Sequence, residues 1–290
     1  DDVGAIAILH ALADSGKCEI LATISSNKYP FIGPTIEAFN RYFKRPDIPI
    51  GVPKGGGVNH TNRNHWNDSI VYKYLPEKKT NEDYPSAVKV YRQVLASQPD
   101  KSITIVTVGF TTNLANLLKS GADDYSPLEG RELIDKKVKK WVAMAGEFPE
   151  GYEFNVYKDA EASYYTFNHW PTPVLFSGFE IGNSILTGHQ VAESGSAGNP
   201  VAWAYQYNLK TWEGKHVKNR QSWDQTAVLC SIENPEHYFY VIGPGRFVAN
   251  ENGSNYWDPE TDAGHYFLVH KYPYQIIADT LDRLMKHEPN

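Results

Sequence analysis

The sequence predicts an α/β protein with an open, mostly parallel sheet flanked by helices, and three observations predict it. Short apolar, β-branched runs alternate with helical patterns of about 10 to 15 residues, the rhythm of βαβ units. Successive strands of that kind run the same way, because each helix carries the chain back across the sheet. Polar residues follow several of these runs, at the strand ends where an open parallel sheet gathers its ligand contacts.

Residues 3–14 (VGAIAILHALAD) are apolar nearly all round and read as a buried helix closed by Gly16. ILATISSN (20–27) is a short strand ending in polar residues. Pro34 opens a second helix, PTIEAFNRYFK, with Ile36, Phe39 and Phe43 at helical spacing. IPIGVP (48–53) is the next strand. A polar stretch follows from Lys54 to Pro85, with Gly55-Gly56-Gly57, His60, His65 and Trp66. It is long for a structureless connection and reads as a lid or binding loop.

SAVKVYRQVLAS (86–97) is an amphipathic helix and SITIVTVG (102–109) a buried strand, after which Thr111-Thr112 lead into the helix NLANLLK. VKKWVAMAG (138–146) and TPVLFSGFEI (172–181) repeat the strand pattern on either side of a helix at 159–167. Beyond residue 195 the pattern is helical through PVAWAYQYNLKTW and WDQTAVLCSI. It turns hairpin-like from 238 to 271, with Asn252-Gly253 as the tight turn, and closes on the amphipathic helix PYQIIADTLDRLMK. Asn27, Val108-Gly109-Phe110 and the stretch Glu147 to Asn155 all follow strands and should converge on one crevice.

Composition narrows the function. The 290 residues suit one domain, taken here as 1–290, with ample chain for a core. Acidic side chains outnumber basic ones, 34 to 28, for a net charge of −6, which argues against a nucleic-acid partner that needs a basic face. Mean hydropathy is −0.48, and no run of about 18 apolar residues exists to span a bilayer. The protein is therefore expected to be soluble, in the cytoplasm or in the periplasm or beyond. Cys18 and Cys230 are too few for a disulfide framework or a thiolate metal site. His10 and Met144 sit on apolar elements and read as core.

Adjacent carboxylates Asp1-Asp2 open the first helix. They can complement the helix dipole, or they can belong to a hard-cation site, which needs further oxygens from distant segments. Asp224, at another helix start in Arg220-Gln221-Ser222-Trp223-Asp224, is a candidate, although alone it would serve as an N-cap.

Asp1-Asp2-Val3-Gly4-Ala5-Ile6-Ala7-Ile8-Leu9 resembles the tail of the aspartate-rich N-terminal motif of the inosine-uridine-preferring nucleoside hydrolases. Val106-Thr107-Val108-Gly109-Phe110-Thr111-Thr112-Asn113 is similar to that family's central strand-to-helix motif. Tyr152-Glu153-Phe154-Asn155-Val156-Tyr157-Lys158-Asp159-Ala160-Glu161-Ala162 resembles its E-F-N-x-x-x-D-x-E-A segment, the most specific match. Trp223-Asp224 falls where the family places a late metal-binding aspartate. The motifs occur in the family's order across residues 1 to 230.

The resemblance implies a Rossmann-like core, calcium as cofactor, and a small-molecule nucleoside as substrate. Asp2 and Asp224 would be carboxylate ligands, and Val108 would contribute its main-chain carbonyl, which any residue can supply. Asp1, Asn27, Glu153 and Asn155 would hold the ribose. The reaction it implies is hydrolysis of the N-glycosidic bond through a calcium-bound water, with contacts that tighten as the ribose gains oxocarbenium character. It also implies a homo-oligomer, dimer or tetramer. The family's general base and a further ligand belong to the motif upstream of the Asp-Asp pair, so a strand upstream of residue 1 is expected.

One departure bears on the base. Members favouring inosine and uridine carry a histidine just before the late aspartate, and here that residue is Trp223. Purine-specific members resemble this pattern, with tryptophans stacking on the base. Trp66 would supply an opposing face, with His65 or His60 as its polar neighbour. The reading is a purine-preferring nucleoside hydrolase. Its rivals are a hydrolase of another ribosyl compound and a non-catalytic nucleoside- or sugar-binding protein of the same fold.

Overall fold

A computed structural model describes residues 1–211, 217–271 and 273–289. In chain order its elements are α1 (Asp2–Asp14), β1 (Thr23–Ile24), α2 (Ile32–Tyr42), β2 (Ile50–Gly51), α3 (Trp66–Tyr74), α4 (Ala87–Ser97), β3 (Ile103–Thr107), α5 (Thr112–Leu118) and α6 (Gly130–Lys137). There follow β4 (Val138–Met144), β5 (Glu150–Gly151), α7 (Phe154–Lys158), α8 (Ala160–His169), β6 (Val174–Ser177), α9 (Phe179–Ser184), β7 (Leu186–Thr187), α10 (His189–Ser194) and α11 (Pro200–Thr211). The chain ends through β8 (Arg220–Gln221), α12 (Trp223–Ile232), β9 (Phe239–Ala249), β10 (Asn255–Asp258), β11 (His265–His270) and α13 (Tyr274–Met285).

The main sheet has seven strands in the order β3-β4-β6-β11-β9-β10-β5. Its first four are mutually parallel, and β9, β10 and β5 extend it antiparallel. Along β4 the side chains alternate between two cores, as a period of two requires. Val142 and Met144 join Leu175 against α1, α12 and α13, while Trp141 and Ala143 join Val174 and Phe176 on the opposite face. Trp141 is fully buried and stacks on Phe167 of α8, with ring centroids 4.9 Å apart. Helices therefore cover both faces, and parallel strands need that cover.

The structure shortens two expected strands. Of 20–27 only Thr23–Ile24 is strand, and of 48–53 only Ile50–Gly51. The two pair parallel with each other, outside the seven-stranded sheet. Thr23 N donates to Pro49 O and Ser25 N to Gly51 O, so one edge of the segment is satisfied. Its other edge faces β3 across a groove of about 720 Å³, lined by Leu21, Ile24, Ile103 and Ile105 among others.

The stretch 54–85 is not a free loop. It carries α3 and a 3₁₀ turn at Asn81–Asp83, and Trp66 is the first residue of a helix. The stretch is pinned to the body by Lys28 N to Val58 O (2.8 Å), Asn81 N to Pro30 O (2.7 Å) and Tyr207 Oη to Asn64 O (2.9 Å). In 172–181 the strand stops at Ser177, and α9 begins at Phe179. The hairpin turn at Asn250–Ser254 forms as expected, with Gly253 at φ +86°, where a side chain would be strained. Trp212, the end of the helix read at 200–212, lies outside the described residues. Among the described residues no helix is long and apolar enough to cross a membrane.

Candidate active site

The carboxyl ends of β3, β4 and β6 and the starts of α1 and α12 meet at one end of the sheet. Asp1 caps α1, Asp2 is its first residue, and Asp224 is the second residue of α12. Their carboxylate oxygens lie within 4.8 Å of one another. Asp2 is exposed and Asp224 only 4 % exposed. Burial, then the nearby Asp2 charge, hold the Asp224 carboxyl well above its ordinary range. Arg220 Nη2 stands 4.0 Å from Asp1 Oδ1 and offsets part of the repulsion, and the three carboxylates together offer the all-oxygen donor set that fits a hard metal ion.

Glu153 is buried and caps α7. Oε1 accepts from Asn155 N at 2.9 Å, and Oε2 accepts from Val156 N at 3.2 Å and Gly146 N at 3.3 Å. Burial still raises its carboxyl to about 7, because desolvation outweighs these bonds, and the Glu147 charge adds to the rise. Its charge is felt at Asp224, which puts the two in one electrostatic site. Asn155 donates from Nδ2 to Met144 O at 3.1 Å, which orients its carboxamide from the end of β4.

Val108 follows β3 directly and is half-buried. Asn27 has a different engagement. Its Oδ1 accepts from Tyr29 N (3.0 Å) and His60 N (3.1 Å), and its Nδ2 donates to His60 O (2.7 Å). The residue expected to face the sugar thus fastens the polar stretch to the crevice rim, with one amide hydrogen unspent.

Trp223 is half-buried, stacked on Phe179 at 5.5 Å and 27°, and its Nε1 donates to Phe179 O at 2.8 Å. The indole N–H is spent on the backbone, which fixes the ring plane. Trp66 packs partly buried against the core shared by α1, α2 and α12. His65 adopts φ +49° and is exposed, with Nδ1 3.3 Å from the Tyr29 hydroxyl and 3.7 Å from Asp68. The structure therefore brings Asp1, Asp2, Asp224 and Glu153 together, whereas His65 contacts Tyr29 and Asp68.

The family model of the inosine-uridine preferring nucleoside hydrolases matches residues 1–262 of this chain. The chain belongs to that family. The pyrimidine-specific ribonucleoside hydrolase RihA of Salmonella schwarzengrund (strain CVM19633) is 26% identical over 302 residues, covering 96% of this chain and 90% of the relative. Among solved structures, a purine-preferring ribonucleoside hydrolase from Gardnerella vaginalis superposes with a TM-score of 0.72 at 16% identity, over 98% of this chain and 95% of the other. An inosine-uridine preferring nucleoside hydrolase from Bacillus anthracis gives 0.69 at 14% identity over the same shares.

This nucleoside hydrolase cleaves the N-glycosidic bond of ribonucleosides. Two further carboxylates at that end of the sheet are given no role from the sequence. Glu180 follows β6 and accepts from Phe148 N at 3.4 Å. Burial raises it to about 7, with the Glu147 charge adding to the rise. The strand expected over 172–181 absorbs Glu180, and only its end at Ser177 leaves the residue beyond the strand. Asp159 stands inside the E-F-N segment, but its partners are Thr111 and Thr112, nearly fifty residues earlier in the chain.

Proposed function

We propose that this nucleoside hydrolase is calcium-dependent and prefers purine ribonucleosides. The observation that carries the metal is the Asp1–Asp2–Asp224 cluster, in which a buried carboxylate faces two others within 4.8 Å. Asp2, Asp224 and the Val108 carbonyl would hold the ion. When bound, it supplies positive charge that lowers the pKa of water and anchors the ribose diol.

The chain's own residues hold the sugar and the base. Asp1 accepts from a ribose hydroxyl. Glu153, its oxygens already aimed by backbone N–H groups, accepts a second hydroxyl through a remaining lone pair, and Asn155 contributes its carboxamide oxygen. Asn27 holds the rim over the sugar through His60 and reaches it with its remaining N–H. Contacts of this kind strengthen as the sugar ring gains positive charge, so they favour the transition state over the bound nucleoside. The Trp223 face, fixed by Phe179, grips the leaving base by stacking, with Trp66 and His65 closing the opposite side. Trp223 donates no proton, because its N–H is bonded to Phe179 O.

A nucleoside panel with and without chelator tests this reading. Inosine and guanosine should turn over faster than uridine and cytidine, activity should vanish with EGTA, and calcium should restore it. Full activity under chelation overturns the metal, and faster cleavage of uridine and cytidine overturns the base preference. Nicotinamide riboside in the same panel tests for another ribosyl substrate, and binding of inosine without release of base would mark a binding module.

A further inference from the structure

Asp159 lies between α7 and α8, and its carboxylate is spent far away in the chain. Oδ2 accepts from Thr111 N at 2.9 Å and from Thr112 N at 2.7 Å, and the Thr112 hydroxyl sits 2.9 Å from both carboxylate oxygens. The Thr111 hydroxyl also meets the Ser163 hydroxyl of α8 at 3.1 Å. The N-cap residue of α5, Thr111, makes no side-chain cap of its own. Asp159 therefore caps that helix from across the crevice. Charge-assisted bonds of this kind are among the strong ones, and several of them share one carboxylate, so the joint is stiff.

The two segments it joins are the two walls of the site. On one side Val108, Gly109 and Phe110 lead directly into Thr111. On the other, Glu153 and Asn155 precede Asp159 within the same short turn of helix. The rings of Phe110 and Phe154 also meet, with centroids 6.1 Å apart, so the joint has an apolar contact beside the polar one. Each wall alone would be a strand-end loop, and loops drift. We infer that Asp159 is a positioning residue, whose carboxylate locks the Val108 carbonyl in register with Glu153 and Asn155 and so sets the distance between the metal site and the ribose site. The inference rests on the reading that Val108 ligates the metal and Glu153 and Asn155 hold the sugar.

The test uses Asp159→Ala and the near-isosteric Asp159→Asn in the full chain, with Asp224→Ala alongside. Calcium binding is followed by titration calorimetry, and inosine hydrolysis by kcat and KM, at a temperature where melting curves show each variant folded. Asp159→Ala should weaken calcium about tenfold and lower kcat/KM by roughly ten- to a hundredfold, because a misplaced contact of about 1 Å costs on that scale. Asp159→Asn, which keeps one acceptor oxygen, should fall between it and the parent. A lower melting temperature with unchanged calcium affinity and unchanged kcat overturns the inference and leaves Asp159 a helix cap alone. Should Asp159→Ala not fold, the Asn variant decides by the same two readouts. Calcium binding retained in Asp224→Ala would overturn the metal reading itself, a result distinct from either Asp159 outcome.

Discussion

Asp224 concentrates the electrostatic conflict of the site in one side chain. It is buried, it faces Asp2, and its carboxyl is held well above the ordinary range by those two causes in that order. A cation relieves both. Asp224→Ala should abolish measurable calcium binding and lower turnover by at least about a thousandfold, as loss of a metal ligand does. Titration calorimetry and inosine hydrolysis check it. Trp223→Ala should cost purine nucleosides about tenfold more than pyrimidine ones, because the larger base loses more stacked area. An equal loss on inosine and uridine would count against stacking. The residues legible from sequence share one property: Asp1, Asp2, Glu153 and Asn155 lie in short contiguous motifs. Asp159 lies in the same motif and Glu180 just beyond a strand, yet their roles depend on Thr112 and Phe148, which only the fold brings near.

At the scale of elements, the site depends on where α9 meets α12. A Cβ on Gly182 would overlap the backbone of Trp223, so only glycine lets the two helix starts approach this closely. Gly182→Ala should cost about 1 to 3 kcal/mol of stability and move Trp223 and Asp224 together, lowering kcat/KM more than tenfold. A melt combined with inosine kinetics separates the two effects. Glu180, at the start of α9, gives the same region a pH dependence. Its ordinary value is 4.5, and burial lifts it to about 7. Below pH 4.5 the carboxyl is neutral in folded and unfolded chains alike, and its burial costs nothing extra. Between pH 4.5 and 7 the unfolded chain ionises while the folded one resists, so stability falls across that window and levels off above it. Glu180→Gln removes the dependence. The variant should gain about 2 kcal/mol over the parent at pH 8 and nothing at pH 4, read from urea melts at both values. Most helices were legible because 3.6-residue periodicity is local. The strands 20–27 and 48–53 were overextended because β pairing is not: a strand lasts only as far as its neighbour does.

Among the described residues the strands form one seven-stranded sheet and two two-stranded ones, and the β1–β2 pair stands beside the main sheet. The βαβ rhythm foretold the parallel half of the main sheet. It could not foretell that β11 would insert between β6 and β9, pairing with β6 residues 91 positions earlier, as in His265 with Val174. Nor could it show that β1–β2 would stand apart from β3 across a groove of about 720 Å³. In a strand, successive N–H groups point to opposite edges. Thr23 and Ser25 donate to Pro49 O and Gly51 O, so the Ile24 N–H between them points into the groove. Amide hydrogen exchange should therefore alternate along this segment. Thr23 and Ser25 should be protected at least about a hundredfold more than Ile24, because exchange reports the bond each amide makes. Uniform protection of all three would mean that a further strand pairs with this edge in solution, because only a backbone carbonyl on the groove side could slow Ile24.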